Sequence, residues 1–334
     1  MNMKQFISQD ADVLHAVNTA ADELGIDLQD VAIKLGLPPD LLKHADQFVP
    51  SQLFNCLLET IGRDYHCQDF AVKAATHIQT PLLGLPTRVM GLCASFQQAF
   101  ERAAQYSAFY RDTSYWQHQI GEGQVCFYKA GSSFNSEHYR QRNLLGTSQM
   151  FTIISELSGH LWRPNKVSFS FADPGARFRT TFDEFFQCEL EFDQSFDGVY
   201  FPEGYLEYKI SSCNVDLLRG VEMHISSLQE ELKQGGDLLA QAKLIINQRL
   251  SFGCCSLSDL AHFMSLPEPQ LVEELERAGI SFSELMDQQI AEKANYYLTE
   301  FHAPTELILS ALMPGNEPHL NDLLMSKLEK GHQW

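Results

Sequence analysis

The chain has 334 residues, 44% of them hydrophobic, enough for two or three domains with a sizeable core and incompatible with wholesale disorder. It carries 24 Lys and Arg against 43 Asp and Glu, a net charge of −19. That balance is repelled by phosphate backbones and anionic membrane surfaces, so a nucleic-acid binder built on it needs a local basic patch.

No apolar run is long enough to cross a bilayer, and residues 1–12 lack the basic-then-apolar order of a secretory signal. The expected location is cytoplasmic, with no membrane partner. The eight cysteines are scattered from Cys56 to Cys255 without a CxxC repeat, as reduced thiols would be. The vicinal pair Cys254-Cys255 bridges poorly and is a weak redox signal.

In chain order, Val13, Val17, Ala20, Ala21 and Leu24 recur at helical spacing, and Gly25 interrupts them. Asp30 to Leu35 predicts a short helix stopped by Gly36, with Pro38-Pro39 starting the next. Ser51 to Ile61 predicts an amphipathic helix with Leu53, Leu57, Leu58 and Ile61 on one face. A further helix is predicted over 95–110, with Ser95 as N-cap. The period then changes to two: Thr113 to Gln119 alternates, Gly121-Glu122-Gly123 turns, and Val125, Phe127 and Lys129 oppose Cys126 and Tyr128, which predicts a hairpin. Helix returns over 137–160. Val167, Phe169 and Phe171 alternate as a strand, and Leu190 with Phe192 suggests another. The expected class up to here is α+β.

Asn214 to Gln234 predicts a strong helix, with Leu218, Val221, Ile225, Leu228 and Leu232 spaced like a short heptad seam that could pair two copies into a homodimer. Gly235-Gly236 ends it. Everything beyond is predicted helical, broken at Gly253, Pro267, Gly279, Pro304 and Pro314-Gly315, as in a small all-α domain. The expected division is 1–213 for an effector domain, 214–236 for a linker helix and 237–334 for the helical domain.

No catalytic constellation stands out. There is no GxSxG, HExxH, P-loop or dinucleotide fingerprint, and the histidines, such as His66, His118, His138 and His160, lack ligand spacing. No enzyme activity, metal or cofactor is expected.

The C-terminal pattern runs Leu257-Ser258-Asp259-Leu260-Ala261, the turn Ser265-Leu266-Pro267, then Leu271 and Leu275 on one face, closed by Gly279. Ser281-Phe282, Leu285-Met286, Ala294 and Leu298 follow. This resembles the first helix-turn-helix and connecting helix of AraC/XylS transcription regulators. Thr305 to Leu312, Pro314 to Pro318, and Leu320, Leu324 and Leu328 resemble the second helix-turn-helix. Upstream, Gly36 to Leu42, Val49-Pro50, Phe185-Phe186-Gln187-Cys188-Glu189-Leu190-Glu191-Phe192 and Val199-Tyr200-Phe201-Pro202 resemble the arabinose-binding-like effector domain of one branch of that family. The resemblance covers nearly the whole chain in the right order. It implies an α+β effector domain followed by an all-α domain with two helix-turn-helix units.

The chain departs from the family where the family's arginines meet DNA. The equivalent positions of the first recognition helix are Pro269, Val272, Glu273 and Glu274. Ile290 stands at a phosphate-facing position of the connecting helix, and Asp322 at an arginine position of the second unit. From Asp237 to Trp334 there are six Lys and Arg against fourteen Asp and Glu, a net −8. Base readout needs donors, and carboxylates at that surface oppose it. A solvated acidic helix face is the bland alternative for these glutamates.

The aromatic stretch from Phe100 to Tyr128 suggests either core or the wall of a ligand pocket. The candidate lining is Phe100, Tyr106, Tyr110, Tyr115, Gln117 and Phe127. The expected function is an AraC/XylS-type regulator responding to a small, mainly apolar effector, with DNA binding weakened or lost. The alternative is a protein-interaction module that keeps the architecture and docks on a protein partner.

Overall fold

The structure, a computed structural model, describes residues 11–39, 50–78, 84–105, 115–130, 139–223, 238–250, 255–264 and 266–312. The chain divides into two units. A sheet unit comprises residues 9–28 and 57–227, and a helical unit comprises 1–8, 29–56 and 228–334.

The sheet unit opens with α1 (Ala11–Glu23). Its sequence stripe is its buried face: Val13, Val17, Ala20 and Ala21 are all buried, whereas Leu24, just past the helix end, is exposed. Helix α3 (Ser51–Asp64) is divided, residues 57–64 belonging here. Next come α4 (Phe70–Thr76), α5 (Gly84–Leu92) and α6 (Phe96–Gln105). Ser95 caps α6 as expected, its hydroxyl accepting from the Gln98 amide at 3.3 Å.

The predicted hairpin is present as β1 (Tyr115–Gly121) and β2 (Gln124–Ala130), paired antiparallel around Glu122-Gly123. The central helix α7 (Arg140–Leu157) leads to β3 (Lys166–Ser168), α8 (Ala176–Phe186), β4 (Glu189–Glu191) and β5 (Gly198–Pro202). The sheet order is β1-β2-β5-β3-β4. All pairs are antiparallel except β3 with β4.

Register decides the sheet's two faces. Phe127 pairs with Val199, which pairs with Val167, and Val125 pairs with Phe201. All five side chains are fully buried. The neighbouring positions Cys126, Tyr200 and Lys166 share the opposite face, where the Lys166 ammonium lies 4.5 Å from the Tyr200 ring centre. Helix α6 covers the apolar face: Phe100 stacks on Phe127 with ring centres 4.4 Å apart and meets Phe201 at 5.7 Å.

Strand β3 is shorter than the alternation to Phe171 predicts. The Ser170 amide and hydroxyl both donate to the buried Asp197 carboxylate, at 2.9 and 3.1 Å. The ladder stops because a side chain takes its next donor. Phe169 and Phe171 remain in the core with Phe182, Phe186 and Phe192. Beyond β5 the chain is fastened to α5: the Ser212 hydroxyl donates to the Gly91 carbonyl and the Asn214 amide to that of Leu92. Helix α9 follows, described over 215–223. Asn214 caps it, its side-chain oxygen accepting from the Leu217 amide at 3.0 Å.

The helical unit contains α2 (Leu28–Lys34) from Gln29 onward and residues 51–56 of α3. It continues with α10 (Leu238–Leu250), α11 (Leu257–Met264), α12 (Glu268–Arg277), α13 (Phe282–Glu300) and α14 (Thr305–Leu312). These ends fall where Pro267, Gly279 and Pro304 predicted them. Helix α13 starts with a reciprocal capping box between Ser281 and Glu284. Leu271, Leu275, Leu285, Ala294 and Ile308 are buried. Each leucine so placed contributes roughly 1.5–3 kcal/mol by leaving water. Gly36 has φ +70°, and a Cβ there would meet Pro304 Cγ at 2.3 Å, so both conformation and space require glycine.

Candidate effector site and recognition helix

Two regions invite a functional reading, one in each unit. In the sheet unit, Phe100 and Phe127 are stacked on each other and fully buried. Gln117 is half-buried on β1 and accepts a hydrogen bond from the Tyr128 hydroxyl at 3.0 Å. Tyr115 opens β1, opposite Ala130. Tyr106 and Tyr110 lie outside the described residues.

Helix α7, predicted as helix, carries buried polar residues that its sequence did not single out. Gln141, Arg142, Asn143, Thr147 and Ser148 are all buried on it. Gln141 ties it to neighbouring backbone, accepting from the Ala71 amide and donating to the Gln68 carbonyl. The Arg140 guanidinium donates to the Ala172 carbonyl at 2.8 Å and lies 4.9 Å from the Phe171 ring centre. Among the described residues, the buried Thr147 Oγ1, Ser148 Oγ and Trp162 Nε1 have no hydrogen-bond partner. Their residues are 0%, 0% and 1% exposed. Such groups cost about 1–3 kcal/mol each when left unpaired. The only signal in the sequence was the run of polar residues inside a predicted helix.

In the helical unit, α11 and α12 sit in a helix-turn-helix arrangement. Leu271 and Leu275 turn inward, while Pro269 and Glu273 are exposed and Val272 and Glu274 half-exposed. Arg277, the cation on this helix, bridges Glu273 at 2.8 Å and also Glu274. Both carboxylates raise its already high pKa. Ile290 on α13 is 2% exposed and faces the interior. A side chain rooted there points into the core, not at a phosphate. Asp322 lies outside the described residues.

Two more of the described cations between 238 and 312 are buried. Arg249 is buried against Asp259 at 3.5 Å and against the Phe263 ring. Lys293 is buried and donates to the Asn247 carbonyl at 2.7 Å, and burial pushes its amine down to about 7. Lys243 on α10 is the one cation of residues 238–312, among those described, that is neither buried nor in an ion pair.

Among the described residues, no cluster of His, Cys, Asp and Glu could hold a metal ion, and no helix is long and apolar enough to cross a membrane. The described residues thus form an α+β unit and a helical unit. Residues 25–210, more than half of the chain, match the arabinose-binding domain of AraC transcription regulators, and the chain belongs to this family of AraC regulators. The crystal structure of the transcriptional regulator CdpR from Pseudomonas aeruginosa is similar over 94% of each chain, with a TM-score of 0.47 and 13% identity. No curated protein matches the chain.

Proposed function

We propose that this AraC-family regulator responds to a small, mainly apolar effector and that its contact with duplex DNA is weakened or lost. The carrying observation is the engagement of the cations. Of the four Lys and Arg between 238 and 312, two are buried and one pairs with two glutamates of its own helix. Phosphate neutralisation supplies most non-specific affinity, and specific complexes of such regulators lie near ~10⁻⁸ M or tighter. Fluorescence anisotropy of the full chain on genomic duplex fragments, titrated from low to physiological salt, is the test. The expected result is no binding in the micromolar range at physiological salt. Nanomolar binding with a steep negative salt slope overturns the reading.

A second reading is favoured by the same surface. Glu268, Glu273 and Glu276 are exposed on a helix whose apolar side is already buried in its own unit. A reporting unit of this kind docks on a protein, with basic residues on the partner, in place of DNA. Capture of a partner that is lost on charge reversal of Glu273 and Glu276 supports it.

A further inference from the structure

We propose that Thr147, Ser148 and Trp162 form the polar anchor of the effector site in the sheet unit. The molecule it takes is small, uncharged and mainly apolar, with a hydroxyl or carbonyl at one end. The proposal rests on the sensing role given above and assigns it a place and a ligand chemistry.

The two hydroxyls are unusual for the helix that carries them. A helical Ser or Thr has a ready outlet in the carbonyl four residues back. Thr152, on the same helix, uses it, donating to Ser148 O at 3.0 Å, and Thr19 and Thr299 do the same on α1 and α13. Thr147 Oγ1 and Ser148 Oγ are buried and do not. Their hydroxyls are therefore turned away from the backbone of α7.

Helical geometry brings the three atoms to one neighbourhood. Thr147 and Ser148 precede Phe151 by four and three residues, so both flank it one turn earlier, with Cβ atoms roughly 5–6 Å from its own. Long helical side chains lean toward the N-terminus, which carries the Phe151 ring over that pair. The same ring meets Trp162 edge-on at 5.3 Å. The helix thus sets two hydroxyls, each donor and acceptor, one turn before a ring that packs on the Trp162 indole.

The walls set the ligand class. Phe151 contacts Phe185 and Phe186, and Trp162 contacts Phe201. No charge faces this spot from α7: Arg140 is committed to Ala172 and Phe171, and Arg142 projects from the opposite side of the helix, half a turn from Phe151. A carboxylate or ammonium would lose its hydration here without a counter-charge. A polyhydroxylated sugar would leave most of its hydroxyls unpaired against the rings. Phe151 and Phe185 are half-exposed, while Trp162 and Phe186 are buried, so the former pair forms the solvent-side edge of this ring cluster.

The test uses the full chain labelled with ¹⁵N-tryptophan, the Trp162 indole resonance being assigned with Trp162→Phe. The probes are p-cresol, toluene and L-arabinose. The expected result is a downfield shift of the Trp162 indole proton with p-cresol. Thr147→Val should weaken p-cresol about tenfold, the worth of one buried hydrogen bond, and leave toluene within about twofold. In the ligand-free chain the same substitution should raise the melting temperature by roughly 2–6 °C, because it removes an unpaired hydroxyl and keeps the volume. A lowered melting temperature means that the hydroxyl is satisfied within the protein or by trapped water, and overturns the proposal. So does an equal loss for p-cresol and toluene, or no response to any probe. A response to L-arabinose alone overturns the ligand class and leaves the sensing role standing.

Discussion

Replacing Gln52 by leucine tests the buried polar node of the helical unit. Gln52 is 1% exposed on α3. Its amide nitrogen donates to the Leu250 carbonyl at the end of α10, at 2.7 Å, and its oxygen accepts from the Tyr297 hydroxyl of α13. Tyr297 is fully buried, and burial holds its hydroxyl protonated well above the ordinary range. Leucine keeps the approximate volume and removes both bonds. A carbonyl and a hydroxyl are then orphaned at about 1–3 kcal/mol each, partly offset by the greater apolar burial of the new side chain. The net cost should be about 2–4 kcal/mol. Tyr297→Phe removes one donor and orphans only the Gln52 oxygen, for about 1–2 kcal/mol. The double variant should cost less than the sum, since each single change already breaks the shared bond. Urea melts followed by circular dichroism give the energies, and hydrogen exchange over peptides from 238–312 assigns them to this unit. A cost below about 0.5 kcal/mol for Gln52→Leu, or strict additivity, would refute the reasoning.

The other expectations are more local. Lys293 has a folded pKa of about 7, below its ordinary 10.5, because burial disfavours the charge. The unfolded chain then binds the extra proton between those values, so stability should rise with pH from about 7 upward, by up to about 1.4 kcal/mol per pH unit. Lys293→Met should flatten that slope; an unchanged slope in pH-dependent melts would show that the amine stays charged when folded. Ser281→Ala should cost about 1 kcal/mol by opening the capping box of α13, read as faster exchange of the Glu284 amide. Val215, Leu217 and Met223 are 56%, 53% and 67% exposed on α9, so Leu217→Asp should leave the chain folded and lower its sedimentation mass if this helix pairs two copies. An unchanged mass for the folded variant excludes pairing through Leu217.

Much of the helical unit was legible because its breaks are chemical. Proline and glycine sit at the ends of α11, α12 and α13, and the Leu271/Leu275 spacing marks the inner side of α12. The hairpin was legible from its period of two. Strands β3 and β4, of three residues each, carry too few positions for a period, and β5 read only as a motif. Ile290 shows the limit of reasoning by equivalent position: its side chain is apolar and buried, as its chemistry alone would suggest. Helix α7 gave no sign of its buried hydroxyls because buried residues surround it on nearly every side, so no polar face stood out. Nothing in the linear sequence announced that Gly36 and the start of α3 pack with residues some two hundred positions later or more. The bonds of Gln52 to Leu250 and Tyr297 span 198 and 245 residues.

That long span orders events during synthesis. A chain emerging at about 5–20 residues per second tends to fold its N-terminal parts first. Here α2 and the first turns of α3 leave the ribosome early, yet their partners around 250 and 297 arrive some ten to fifty seconds later at those rates. Until then the apolar side chains of Val31, Phe54 and their neighbours lack the helices of their own unit and are exposed to aggregation or chaperones. Closing so long a loop costs only a logarithmic entropy term, so the delay is kinetic. A fragment begun at residue 237 would lack segments that its unit includes, and one stopped at residue 213 would carry residues 29–56 with nothing of that unit to receive them.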